Sequence, residues 1–87
     1  MTTGCLGGIL RIIIRFSIDN DNGQLTTNLR NLLEGYGITL SPANTATYGS
    51  ENIGEPQIAA AMEDFWELIA GYQGNGTLDH FWMYTDQ

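Results

Sequence analysis

The sequence predicts a small α+β protein in which two helices cover one face of an antiparallel sheet. The chain has 87 residues, the size of one domain. Hydrophobic residues make up 43% of it, which is enough for a packed core. Apolar residues alternate with a period of two near both ends of the chain and follow helical spacing in two segments between them. We therefore expect one domain over residues 1–87, with residues 1–7 as a flexible start.

The first strand is predicted over residues 9–18. Large apolar residues occupy its even positions, while its odd positions mix isoleucine with arginine and serine. This alternation is typical of a strand with one fully buried face and one mixed face. The even-numbered residues are Leu10, Ile12, Ile14, Phe16 and Ile18.

A turn and a first helix follow. Residues 19–23 are acidic, amide-bearing or glycine, which is typical of a turn that also caps a helix. A single apolar stripe at helical spacing comes next. It consists of Leu25, Leu29, Leu32, Leu33 and Tyr36. Gly35 and Gly37 are placed to end this helix.

The middle of the chain predicts a β-hairpin. Residues 38–40 and 45–48 are short β-prone runs on either side of the turn at 41–44. Because both arms are short, one loop followed by one strand is the alternative.

The second helix is predicted to start at Pro56. Proline lacks a backbone N–H, and in the first helical turn this group would have no partner within the helix. It carries the apolar residues Ile58, Met62, Phe65, Trp66 and Ile69. Gly71 and Gly74 end it, and residues 78–84 alternate again as the last strand. The element order βαββαβ predicts a ferredoxin-like sandwich with the first strand in the middle of the sheet, beside the last.

Charge and motifs exclude several classes of function. The net charge of −7 lies entirely in residues 44–87, which contain no lysine or arginine. Three arginines are too few for non-specific binding to nucleic acid or to an anionic membrane, so neither is an expected partner. One cysteine excludes an intrachain disulfide framework. No signal segment and no cofactor motif is evident, and we expect a cytoplasmic protein without a cofactor.

The face of the sheet away from the helices is the leading candidate site. Arg11, Ile13 and Arg15 point to it from the first strand. The last strand presents either His80, Trp82 and Tyr84 or Phe81 and Met83. Arginine and aromatic residues carry much of the energy of protein interfaces, so we expect a non-catalytic interaction module, a homodimer or a complex with a partner protein. Stacking of single-stranded RNA bases is a lesser alternative, because cations are few. The predicted interface residues are Arg11, Ile13, Arg15, Trp82 and Tyr84.

The second helix carries an acidic cluster of Glu63, Asp64 and Glu67. Like charges three and four residues apart share a helix face, and no local cation offsets them. The cluster is either a solvated face or an anionic surface for a basic partner. The second possibility would suit an inhibitor that mimics nucleic acid, of the kind used by phages against host defence.

Two catalytic possibilities remain from the residue types. Asp19 and Asp21 follow the first strand and could bind Mg²⁺ or Ca²⁺, although the spacing does not fit a calcium loop and a turn that caps the helix is the favoured explanation. Cys5 and His80 could form a nucleophile and base, but nothing in the sequence brings them together.

The stretch from Phe16 to Gly37 combines a strand, an acidic turn and a helix that ends in Leu-Leu-Glu-Gly-Tyr-Gly. This resembles the small CRISPR-associated adaptation protein family and its VapD-type endoribonuclease relatives. The resemblance implies a homodimeric ferredoxin-like protein, and in some members a metal-dependent nuclease, for which Asp19 and Asp21 would be the ligands here. Ser17 stands where that family has its metal-binding aspartate, and residues 22–27 lack the family's basic residues. The resemblance therefore favours fold and dimerisation over nuclease chemistry.

Overall fold

The computed structural model describes residues 11–49 and 55–86, which form three strands and two helices. The elements are β1 (Arg11–Asp19), α1 (Gln24–Gly35), β2 (Thr45–Gly49), α2 (Glu55–Gly71) and β3 (Thr77–Asp86). β1 lies between β2 and β3 and pairs antiparallel with both. The α+β class and the central position of the first strand, beside the last, are confirmed. The predicted flexible start at 1–7 and the first two residues of the predicted strand lie outside the described residues.

The core lies between the sheet and the two helices. Ile12, Ile14 and Phe16 are buried on β1, as the period-two pattern predicts. The helices bury Leu25, Leu29, Leu33, Ile58, Ala61, Met62 and Phe65 against them. Each large aliphatic or aromatic side chain buried in this way contributes roughly 1.5–3 kcal/mol. Both helices pack on this face, and the odd-numbered side chains of β1 point to the other face.

Helix α1 ends at the predicted glycines. Gly37 has a φ of 86°, a left-handed conformation that glycine adopts without steric cost. Its N–H donates to the carbonyl of Glu34 at 2.9 Å, and the N–H of Ile38 donates to the carbonyl of Leu33 at 3.0 Å. This bonding pattern satisfies the last carbonyls of the helix, and the buried Ile38 and Leu33 supply its apolar contact.

The predicted hairpin is wrong in its first arm, because residues 38–40 form no strand. The guanidinium of Arg30 on α1 donates instead to the carbonyls of Leu40 and Ser41, at 2.8 and 2.7 Å. It also donates to Oδ1 of Asn44 at 2.8 Å. These bonds hold the segment against α1, so three strands rather than four appear among the described residues. The order β2-β1-β3 is compatible with a ferredoxin-like sheet, but the full βαββαβ topology is not confirmed.

Gly76, in the turn before β3, combines a left-handed backbone with a close neighbour. Its φ is 119°, and a Cβ at this position would lie 3.1 Å from Cγ2 of Ile18. We expect Gly76→Ala to lower the free energy of unfolding by more than about 1 kcal/mol, measured by urea denaturation. Gly35→Ala is the control, because it introduces a better helix former into open space and should be neutral or stabilising. Equal stability of the two variants would contradict the prediction.

Candidate functional site

The register between β1 and β3 decides which side chains share the face without helices. Arg15 lies opposite Trp82, Ile13 opposite Tyr84, and Ser17 opposite His80. Directly opposed residues of an antiparallel pair project to the same face. The sequence left this choice open, and the structure selects the first of its two options. The open face therefore consists of Arg11, Ile13, Arg15, Ser17, Thr45, Thr47, His80, Trp82 and Tyr84.

Aromatic and cationic groups meet on the open face where β1 pairs with β3. The side chains of Trp82 and Tyr84 are 46% and 52% exposed, which is unusual for large aromatic residues. The guanidinium carbon of Arg15 lies 5.7 Å from the centroid of the Trp82 ring, within reach of a cation–π interaction. The centroid of the His80 ring lies 5.0 Å from that of the same indole. The structure thus brings together Arg15 of β1 and Trp82 and Tyr84 of β3. Ile13 and Arg11 lie further along β1.

The acidic cluster on α2 is partly used by the fold. Glu63 and Glu67 are exposed, whereas Asp64 is half-buried and accepts a hydrogen bond from the hydroxyl of Tyr36 on α1. This hydrogen bond raises the pKa of Tyr36, followed in importance by burial and by the negative charges of Asp64, Glu63 and Glu67. Asp64 therefore links the two helices, and Glu63 and Glu67 form the exposed part of the cluster.

The link between Tyr36 and Asp64 predicts a shifted titration. The pKa of Tyr36 lies above its ordinary value of 10.0 in the folded protein. The stability that the protonated Tyr36 hydroxyl contributes is therefore fully present below pH 10.0. It is lost as the pH rises through the pKa of Tyr36 in the folded protein. We expect Asp64→Asn to lower the pKa of Tyr36. The titration is measured by phenolate absorbance, and the Tyr36→Phe variant supplies the background signal of the other tyrosines. Glu63→Gln, which removes a more distant charge, is the control and should shift the titration less; an unchanged titration in Asp64→Asn would contradict the assignment.

Asp21 acts as a helix cap. Its carboxylate accepts hydrogen bonds from the backbone N–H of Leu25 at 3.2 Å and of Thr26 at 3.0 Å, and from the Thr26 hydroxyl. The bond from the Thr26 hydroxyl is the main reason that the pKa of Asp21 is lowered. Asp19 ends β1 and is exposed. Within residues 11–49 and 55–86 no three side chains of metal-ligand type gather into one group.

The predicted pair of Cys5 and His80 cannot be placed, because Cys5 lies outside the described residues. His80 instead lies close to the neighbouring carboxylate, with Nδ1 3.9 Å from Oδ2 of Asp79. Both side chains are more than half exposed, so this is a weak surface contact.

An apolar groove of about 510 Å³ was not foreseen from the sequence. It is lined by Pro56, Ile58, Ala59, Met62 and Met83. The alternation in β3 places Met83 on the helix side, yet the side chain is 45% exposed. The register with β1 identifies the side of the sheet to which Met83 points, and the position of α2 shows that the helix leaves it uncovered.

No protein-family model, curated protein or solved structure matches the chain. The resemblance to the adaptation and VapD-type proteins therefore stays a prediction. In the described part of the chain, neither helix has the length and apolar character needed to cross a membrane.

Proposed function

We propose that the protein is a non-catalytic interaction module that associates with a second copy of itself through the open face. The observation that supports this is the exposure of Trp82 and Tyr84 beside Arg15 on a sheet face that the two helices do not cover. Trp, Tyr and Arg are the residues most enriched among those that dominate binding energy. Burial of Trp82 together with its cation–π contact, itself about 0.5–2 kcal/mol, would make it the centre of such an interface.

The charge distribution favours a protein over a nucleic acid on this face. Of the three arginines in the chain, Arg30 is committed to the turn at 40–44, which leaves two on the open face. Two cations would neutralise too few phosphates for appreciable binding at physiological salt. Trp82 and Tyr84 beside Arg15 suit the core of a protein contact, where aromatic residues and arginine are enriched.

Light scattering across the micromolar range tests the proposal. We expect a molar mass near twice 9.6 kDa for the parent protein. Arg15→Glu should give a monomer, because it removes the cation–π contact and places an acid beside Trp82 and Tyr84. The matched control is Thr27→Glu with Asn31→Glu, which lowers the net charge by the same two units at exposed positions of α1.

The control variant should remain a dimer. A parent protein that stays monomeric throughout the range would refute the proposal. A dimer that Arg15→Glu leaves intact would place the contact elsewhere than on the open face.

Two other interpretations of the sequence stay predictions. One is an acidic inhibitor that binds a basic partner through Glu63, Asp64 and Glu67, of which Asp64 is already bonded to Tyr36. The other is a metal-dependent nuclease with Asp19 and Asp21 as ligands, of which Asp21 already caps α1.

A further inference from the structure

We propose that the apolar groove between α2 and β3 is covered by the chain's own N-terminal segment, residues 1–10, which precede β1. The groove has a volume of about 510 Å³ and lies on the helix side of the sheet. The open face lies on the other side, so a second copy bound there would leave the groove in water. The inference therefore goes beyond the proposed self-association and does not depend on it.

The apolar core is least well covered beside this groove. Its most exposed members are Ile12, Met62 and Ile58, at 9%, 7% and 6%. Ile58 and Met62 line the groove, and Ile12 lies two residues along β1 from Ile14, the partner of Met83. Met83 itself is 45% exposed beside them. Among the residues that the structure describes, the apolar layer is thus incomplete at this end, and burying it is favourable by about 25 cal/mol per Å².

The N-terminal segment joins the sheet at the same end of the molecule. It leads into β1 at Arg11, which lies opposite Asp86, three residues along β3 from Met83. Three strand residues span about 10 Å, and the helical stretch from Pro56 to Met62 spans about 9 Å. Ten extended residues reach about 33 Å. The segment is therefore long enough to cross the groove and to turn back over it.

The composition of the segment suits an apolar groove. Residues 1–10 include no charged side chain, and Leu6 and Leu10 are large and apolar. Leu10 continues the even-numbered series that faces the helices in β1. Gly7 and Gly8 separate it from Leu6, and a pair of glycines permits a sharp turn without steric cost. Such a turn would return Leu6 to the groove.

Charge favours this segment over a second copy as the occupant. Glu63 is exposed and lies one helical turn from Ala59, so a carboxylate borders the groove. A two-fold contact between two grooves would bring the acidic clusters of both copies together, and like charges across a contact are unfavourable. A segment without charged side chains meets no such repulsion.

Methyl NOE spectroscopy on the full chain tests the inference. We expect NOEs between the methyl groups of Leu6 and the Cε methyl groups of Met62 and Met83 in a uniformly labelled sample. A mixture of labelled and unlabelled protein, observed with isotope filtering, reports contacts between copies. If these NOEs appear in the filtered spectrum, the groove is covered by a second copy and the inference is overturned. The lack of any contact between Leu6 and the groove would overturn it as well.

Two aspartate variants provide a second test, in which the same charge is placed at two positions of the segment. We expect Leu6→Asp to uncover Met83 and to raise its rate of oxidation by hydrogen peroxide at least about threefold, because oxidation follows exposure. Thr3→Asp is the matched control and should leave the rate within about twofold of the parent rate. Peptide mass spectrometry measures both rates. A rate in Leu6→Asp equal to that of the parent would overturn the inference, whereas a monomeric parent in light scattering would refute the proposed function alone.

Discussion

Replacing Phe65 by alanine is expected to lower the free energy of unfolding by about 3–5 kcal/mol. Phe65 is fully buried, and its ring centroid lies 5.5 Å from that of Phe16, 5.0 Å from Phe81 and 5.4 Å from Trp66. Truncation removes the transfer free energy of the ring and leaves a cavity that the neighbouring rings cannot fill. It also removes three aromatic contacts, of which those with Phe16 and Phe81 join α2 to the sheet.

This loss is large relative to the whole stability of such a domain. A chain of 87 residues has a free energy of unfolding of about 4–13 kcal/mol by the usual scaling. We therefore expect Phe65→Ala to lose from about a quarter to all of this stability, measured by circular dichroism and urea denaturation. Trp66→Ala is the matched control, since it removes the adjacent aromatic ring at a position that is 45% exposed. A cost for Trp66→Ala as large as that for Phe65→Ala would contradict the assignment of Phe65 to the centre of the core.

Replacing Arg30 by alanine is expected to lower the free energy of unfolding by about 1.5–3 kcal/mol. One guanidinium group joins α1 to the turn through the carbonyls of Leu40 and Ser41 and through Oδ1 of Asn44. Hydrogen bonds to a charged group are individually worth about 1.5–3 kcal/mol, but these are partly exposed, so water compensates for part of their loss. The variant should therefore lose less than the sum of three such bonds.

Arg30→Lys distinguishes the geometry of the guanidinium from its charge. Lysine keeps the positive charge but cannot donate to several acceptors in the fixed planar arrangement of arginine. We expect its stability in urea to lie between those of the parent and Arg30→Ala, with faster amide exchange at Asn44 and Thr45. If Arg30→Lys were as stable as the parent, charge alone would account for the contact. If Arg30→Ala were unaffected, the turn would not depend on α1.

These two residues affect the candidate site through different routes. Phe65 packs against Phe16 and Phe81, the residues that pair across β1 and β3 beneath the open face. Arg30 holds the turn that leads into β2, the strand that carries Thr45 and Thr47. Loss of either should weaken self-association only by disturbing the fold. Variants at Arg15 should instead weaken it in a protein that unfolds at the same urea concentration as the parent when both are measured as monomers.

Features that depend on neighbouring residues in the chain were predictable from the sequence. The period of two in β1, the apolar stripe of α1 and the proline at the start of α2 are local patterns, and the structure confirms the elements that they predict. The direction of the odd positions of β1, away from the helices, followed from the same alternation. Arg15 could thus be placed on the open face, because a strand with one fully apolar face must turn its charges to the other.

Features that depend on distant pairing were decided by the tertiary structure. Both faces of β3 carry aromatic or apolar residues, so alternation alone could not choose between them, whereas the register opposite Arg15 does. Residues 38–40 have the composition of a strand, yet the hydrogen bonds from Arg30 hold the following turn against α1. Asp64 could have been a solvated charge or part of a partner surface until its partner Tyr36 on α1 was seen. In each case the deciding contact joins residues whose separation in the chain leaves no periodic signal, and it forms only when the elements pack together.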